Sequence, residues 1–340
     1  MLSDVVFLTG IAAVASFLLT PLVCQAAIRL DLFDHPGVRK IHVKPVPRLG
    51  GIGVFASALV AVLAVPGLQT WGVIDVPVAS GFLVPLLLGC TVLFLVGLWD
   101  DLWQLSVGVK LLGQAIASLI PILWGIGFDH VSIFGSRSVQ LGYVALPLTF
   151  LWVIGVTNAF NLIDGLDGLS SGLAIIAAGT FALLFLLKGD VQSALVPLVL
   201  LGAVAGFLWH NFHPAKIFLG DSGSLIVGYT LAVTAVVGSR TDATSWPIAI
   251  LLLVLGVPIL DTLLAMTRRL IESLRIIRRD RTTSCLKRIR HFAGLLQADQ
   301  RHMHYGLLTR GFSHRGAVLV LYGIATILAA LACLIAILFN

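Results

Sequence analysis

The sequence predicts an all-α integral membrane protein of about ten transmembrane helices. Two observations carry that prediction. Of 340 residues, 58% are hydrophobic and only 11% charged, with mean hydropathy +1.03, whereas soluble domains carry roughly 25% charged residues. A soluble chain of this size cannot bury so much apolar side chain, so its solvent is lipid. The apolar residues also gather into separate runs, each suited to a hydrocarbon core about 30 Å thick.

Ten such runs cover approximately 3–28, 50–67, 79–98, 109–127, 141–157, 170–187, 193–210, 223–238, 246–267 and 315–338. The first opens Met-Leu-Ser-Asp, without the basic stretch of a signal peptide, and is expected to be a retained helix. Residues 1–340 are expected to form one polytopic domain, with a long basic loop at 268–314. Cys24, Cys90 and Cys333 lie in apolar runs, Cys285 lies in the basic loop, and no CxxC pair occurs. They are expected to pack rather than bind metal or form disulfides.

Orientation follows from charge. Arg137, Lys188 and Arg240 fall in one set of alternate loops, and the other nineteen of the 22 Lys and Arg residues fall in the opposite set. An excess of that kind marks the cytoplasmic side, which leaves both termini extracytoplasmic. Asp100 and Asp101 end the third run, Asp164 and Asp167 follow the fifth, Asp221 precedes the eighth, and His302 and His304 precede the tenth. Even numbers of crossings separate them. All are therefore expected at one cytoplasmic surface, in a site built from loops and helix ends.

Four clusters there carry chemistry. In Gly97-Leu-Trp-Asp-Asp-Leu, adjacent carboxylates repel unless a cation or proton lies between them. Such a pair suits Mg²⁺ with substrate phosphates, or a solvated helix cap, and Lys110 nearby can meet a phosphate. In Asn158-Ala-Phe-Asn161-Leu-Ile-Asp164-Gly165-Leu166-Asp167-Gly-Leu, the polar residues recur every third position and share roughly one helical face. Polar groups so placed between spans are costly without partners.

The third cluster runs from Asn211 through Phe218 to Gly220-Asp221-Ser-Gly-Ser224, a small-residue turn into a helix whose free N–H groups favour anions. The fourth, Asp299-Gln-Arg301-His302-Met-His304-Tyr305, lacks further zinc ligands at suitable spacing. Contact with phosphate or phosphosugar is the better reading. The basic stretch from Asp34 through Lys44 and Arg48 to Gly51 suits substrate phosphates or anionic headgroups. Asp261, within the ninth run, reads as a buried functional acid or as the partner of a nearby arginine such as Arg268, and a structural role is favoured.

Taken in order, Pro-Arg-Leu-Gly-Gly, Asp-Asp, Asn-x-x-Asn-x-x-Asp-Gly-Leu-Asp-Gly-Leu, Phe-Leu-Gly-Asp-Ser-Gly-Ser and His-x-His resemble the polyprenyl-phosphate N-acetylhexosamine-1-phosphate transferases, over roughly residues 30–320. The Asp-x-x-His-x-His form is similar to the WecA/TagO branch rather than to the MraY enzymes. The resemblance implies transfer of N-acetylhexosamine 1-phosphate, GlcNAc 1-phosphate above all, from a UDP-sugar to undecaprenyl phosphate in the bacterial inner membrane, with release of UMP. It implies Mg²⁺, replaceable by Mn²⁺, held by Asp221 with Asp100 and Asp101, the acidic pair also lying near the lipid phosphate. It places Asn161, Asp164, Gly165, Leu166 and Asp167 at the nucleotide, Asn211 and Phe218 at uridine, and Lys110, His302 and His304 among the catalytic groups. Lys44, Arg48 and Arg301 are expected to bind substrate.

Tyr305 stands where close relatives usually carry another histidine, and the loop from Arg268 to Gln300, whose insert resembles an amphipathic surface helix, is longer than usual. A homodimer is left open, and no nucleic-acid partner is expected. The alternatives are another UDP-amino sugar, UDP-MurNAc-pentapeptide, or a secondary transporter for an anionic solute. Transporter sites gather near the bilayer midplane, whereas these acids gather at one interface.

Overall fold

In the computed structural model, residues 2–34, 45–75, 80–132, 138–240, 246–279 and 302–338 are described. Each of the ten apolar runs forms helix. In chain order these are α1 (Leu2–Arg29), α2 (Gly50–Thr70), α3 (Ser80–Trp103), α4 (Val107–Leu123), α5 (Ala145–Ile163), α6 (Leu169–Leu187), α7 (Val191–Asn211), α8 (Gly220–Arg240), the pair α9 (Ile248–Val254) and α10 (Gly256–Arg279), and α12 (His314–Leu338), with a short α11 (Met303–Thr309) before the last. Two small antiparallel pairs, β1 (Phe33–Asp34) with β2 (Val46–Pro47) and β3 (His130–Ser132) with β4 (Ser138–Gln140), close loops at the helix ends.

Eight of these helices are long and apolar enough to cross a membrane. Two runs depart from ten straight spans. α4 is shorter, and the ninth run breaks between α9 and α10 with an 84° bend. The break falls at Leu255–Gly256, where Pro258 in the first turn of α10 lacks the N–H that would continue the α9 ladder. α10 then continues past residue 267 to Arg279, so the basic stretch begins as helix.

Leu18, Leu63, Leu95, Leu151 and Ile327 are exposed on the outside of the bundle. In water that would be costly, but against lipid tails it is not. Hydroxyls on the spans bond back to their own helices, as Thr9 does to the Val5 carbonyl and Thr180 to that of Ile176, because no water is present to satisfy them. α8 is the axis of the bundle. Every residue from Ser222 to Ser239 is buried, packed against α2, α3, α5, α6 and α7. Facing protein on all sides, it can carry Gly228, Thr230 and Thr234, and its hydropathy is lowest among the long spans.

Candidate active site

The site forms where the C-terminal ends of α3, α5 and α7 meet the N-terminus of α8. Arg48 locks the α3 end. Its Nε and Nη2 donate to the Asp101 carbonyl at 3.0 and 2.8 Å, and Nη2 donates to the Asp100 carbonyl at 3.0 Å. A cation is favoured against those terminal carbonyls. Arg48 also pairs with Asp34 at 3.5 Å. The arginine expected at substrate phosphates therefore also positions the acidic pair.

The two adjacent aspartates then diverge in role. Asp101 caps α8 from another helix. Its Oδ1 accepts the Asp221 N–H at 2.9 Å, and its Oδ2 accepts the Ser222 N–H at 3.1 Å and hydroxyl at 2.6 Å. These N–H groups are unpaired in any first helical turn and favour an anion. Only glycine fits at position 220, where φ is +73° and a Cβ would lie 2.6 Å from Asp101 Oδ2. Asp100 instead accepts the Leu105 N–H at 2.7 Å and faces Lys110 Nζ at 3.1 Å. Lys110 Nζ also lies 2.6 Å from Asp221 Oδ2. One ammonium thus bridges two carboxylates 121 residues apart in sequence, which supports Asp100 and Asp221, more than Asp101, as an all-oxygen pair open to a divalent cation.

A cavity of about 230 Å³ opens beside this cluster, lined by Asp101, Asp164, Asp167 and Asp221 with Arg48 among others. Asn161, Gly165, Leu166, Asn211 and Phe218 line it too. Asn161 donates to the Ser224 hydroxyl at 2.9 Å. Asn211 is buried, and its carboxamide joins two loops by accepting from the Gly168 N–H and the Ser171 hydroxyl and donating to the Ile217 carbonyl. Asp164 ends α5. Burial, then the nearby carboxylates of Asp221, Asp101 and Asp167, push its carboxyl well above the ordinary range.

His302 and His304 sit behind the cavity, not on its wall. His302 is buried with Nδ1 2.7 Å from Asp261 Oδ2, and Asp261 Oδ1 accepts the Met303 N–H at 2.6 Å. The partner of Asp261 is therefore a histidine, not Arg268, whose Nε donates to the Leu264 carbonyl of its own helix. This pairing ties the start of α11 to α10 just beyond the α9–α10 break. His304 lies 5.6 Å from His302, ring on ring. Its nitrogens are buried without partners among the described residues, and burial pulls its imidazole down to about 4. Tyr305 does line the cavity. Lys44 and Arg301 lie outside the described residues.

Sequence reading missed His213 and His314. His213 Nδ1 lies 2.7 Å from Asp167 Oδ2, which also accepts the Ala215 N–H at 3.1 Å. The Asp167 N–H donates to His314 Nε2 at 3.0 Å. His213 stood inside the third cluster and was a visible signal, whereas His314 stands alone at the head of the last span and carried none.

Residues 83–239 match the family described as glycosyl transferase family 4. The chain is 36% identical over 306 residues to the "probable undecaprenyl-phosphate N-acetylglucosaminyl 1-phosphate transferase" of Bacillus subtilis, covering 90% of this chain and 77% of that protein. It is 33% identical over 335 residues to the decaprenyl-phosphate N-acetylglucosaminephosphotransferase of Mycobacterium leprae, covering 92% and 78%. To the undecaprenyl-phosphate alpha-N-acetylglucosaminyl 1-phosphate transferase of Escherichia coli K12 it is 27% identical over 325 residues, covering 91% and 78%.

Proposed function

The chain belongs to glycosyl transferase family 4, and from that membership we propose that it transfers GlcNAc 1-phosphate from UDP-GlcNAc to a polyprenyl phosphate, releasing UMP. This is the first membrane-bound step of an envelope glycan pathway. The observation that carries the reading is the meeting of Asp101, Asp164, Asp167, Asp221 and Arg48 around one cavity, with Lys110 joining Asp221 to Asp100 beside it. Undecaprenyl phosphate is the acceptor, and the basic excess on the loops of this face supports a cytoplasmic site in the bacterial inner membrane.

An acceptor phosphate oxygen bonds to the phosphorus that bears the sugar, and the bond from that phosphorus to the UMP oxygen breaks. One phosphoanhydride replaces another, so the obstacle is bringing an anionic nucleophile to an anionic diphosphate. A phosphate monoester has a second pKa near 6, so the acceptor is mostly dianionic at neutral pH and Asp100 need not act as a strong base. Lys110, already between Asp100 and Asp221, offers a cation to the diphosphate. The all-oxygen donors Asp100 and Asp221 suit Mg²⁺, which when bound supplies charge neutralisation on the diphosphate and on departing UMP. Asp167 Oδ1, without a hydrogen bond among the described residues, is available to accept from the nucleotide base. Much of the remaining rate gain comes from positioning.

Purified protein supplied with UDP-GlcNAc, undecaprenyl phosphate and Mg²⁺ is expected to release UMP, and to stop when EDTA is added. No UMP from any UDP-N-acetylhexosamine would overturn the transferase reading.

A further inference from the structure

At one wall of the cavity, side chains from three separate parts of the chain meet. They are Asp167 after α5, His213 after α7 and His314 opening α12. His213 Nδ1 lies 2.7 Å from Asp167 Oδ2 and His314 Nε2 lies 4.0 Å from Oδ1, and one ligand atom from each falls within 4.8 Å of the others. The transfer described above uses neither histidine. We propose that Asp167, His213 and His314 form a transition-metal site, of the kind zinc occupies, and that filling it closes the nucleotide end of the cavity.

Two imidazole nitrogens and a carboxylate oxygen are donors for Zn²⁺, Co²⁺ or Ni²⁺ rather than Mg²⁺. The site is thus chemically distinct from the all-oxygen pair Asp100 and Asp221. Three ligand atoms about 3.5 Å apart have a common centre about 2 Å from each, which is the Zn–N and Zn–O distance. The observed separations bracket that spacing, so small side-chain rotations bring the ligands onto a metal. His314 Nε2 is the unprotonated ring nitrogen, since it accepts the Asp167 N–H, and it exchanges that hydrogen bond for the metal. His213 ligates through Nδ1 as neutral imidazole with its proton on Nε2, and the metal replaces the hydrogen bond to Asp167.

The surroundings hold the ligands in place. The imidazoles stack with centroids 4.1 Å apart and planes 17° from parallel. Arg315 Nε and Nη2 grip the His213 carbonyl at 3.0 and 2.8 Å. Outside the two rings lies a second cavity of about 280 Å³, lined by His213, Pro214, Ser313, His314 and Arg315. It gives a metal access and leaves room for a water as fourth ligand. The consequence for the nucleotide rests on the proposed function, but metal binding does not.

The test is equilibrium dialysis of the tag-free full chain in detergent against micromolar Zn²⁺, with Mg²⁺ in excess, followed by metal analysis and UMP-binding titration. We expect one Zn²⁺ per chain, affinity weakened by about tenfold or more in His213→Ala and His314→Ala, and no change in His130→Ala. Co²⁺ in the unaltered chain is expected to give the visible absorption of a four-coordinate site, a readout that needs no variant. Saturating Zn²⁺ is expected to weaken UMP binding in step with its occupancy. No saturable Zn²⁺, or an affinity in both histidine variants equal to that of the unaltered chain, overturns the site. Zn²⁺ bound without loss of UMP affinity overturns the closure. Failure of the metal-free chain to bind UMP at all would count against the transferase reading instead.

Discussion

Lys110→Met keeps the bulk of the side chain and deletes its charge, leaving Asp100 and Asp221 without the ammonium now 3.1 and 2.6 Å from them. At an effective dielectric of about 20, unit charges about 4 Å apart interact by about 4 kcal/mol before desolvation is subtracted. Breaking a buried pair costs about 3–5 kcal/mol, whereas an exposed pair contributes about 1 at most. The Lys110, Asp100 and Asp221 side chains are 23, 11 and 24% exposed, between those limits, so the expected loss of stability is about 2 kcal/mol in EDTA. Thermal unfolding in detergent measures it. A divalent cation can take the vacated position, so Mg²⁺ is expected to raise the Tm of Lys110→Met by more than that of the unaltered chain. In a cycle with Asp221→Asn, the coupling in EDTA is expected at about 1–2 kcal/mol. Additive single effects together with equal Mg²⁺ responses would refute the view that lysine and metal serve the same two carboxylates.

Asp164→Asn is expected to raise Tm at neutral and alkaline pH and to change it little below the ordinary carboxyl value of 3.8. With its folded-state pKa raised, Asp164 binds its proton more tightly folded than unfolded, so wild-type stability declines as pH rises through that pKa. Melts across the pH range check this, and a pH-independent offset would contradict it. Asp261→Ala strands the Met303 N–H and the His302 ring nitrogen in a fully buried position, for a loss of about 2–5 kcal/mol in thermal or denaturant unfolding, with Asp261→Asn retaining part of it. Gly97→Ala would place a Cβ 2.5 Å from the Ser222 backbone. It is expected to cost about 1–3 kcal/mol by overpacking and to weaken Mg²⁺ stabilisation, because it displaces the turn that presents Asp221.

The ten apolar runs were legible as helix because hydropathy is a local property. A run of apolar residues between basic loops reads as a span whatever its neighbours do. The break at Leu255 went unread, although Gly256 and Pro258 beside it are local signals, because the apolar run continues across it to residue 267. Lys110 was expected to meet a phosphate, and in the structure its ammonium lies between Asp100 and Asp221. Asp101 was expected beside a metal, but two N–H groups and a hydroxyl of α8 claim its oxygens. No pattern within the chain announces a cap supplied from another helix.

By itself the sequence determined the lipid environment, the ten helical runs, the gathering of five aspartates at one end of the bundle, and the kinship from which the reaction follows. Only the tertiary structure decided which aspartates stay available. It joined Asp100 to Asp221 through Lys110, used Asp101 to cap α8, turned Asp261 to His302 and brought His213 and His314 to Asp167. The physical reason is that burial and helix periodicity act along the chain. Charge pairing and hydrogen bonding act across a few ångströms of space, and these partners are up to 147 residues apart in sequence.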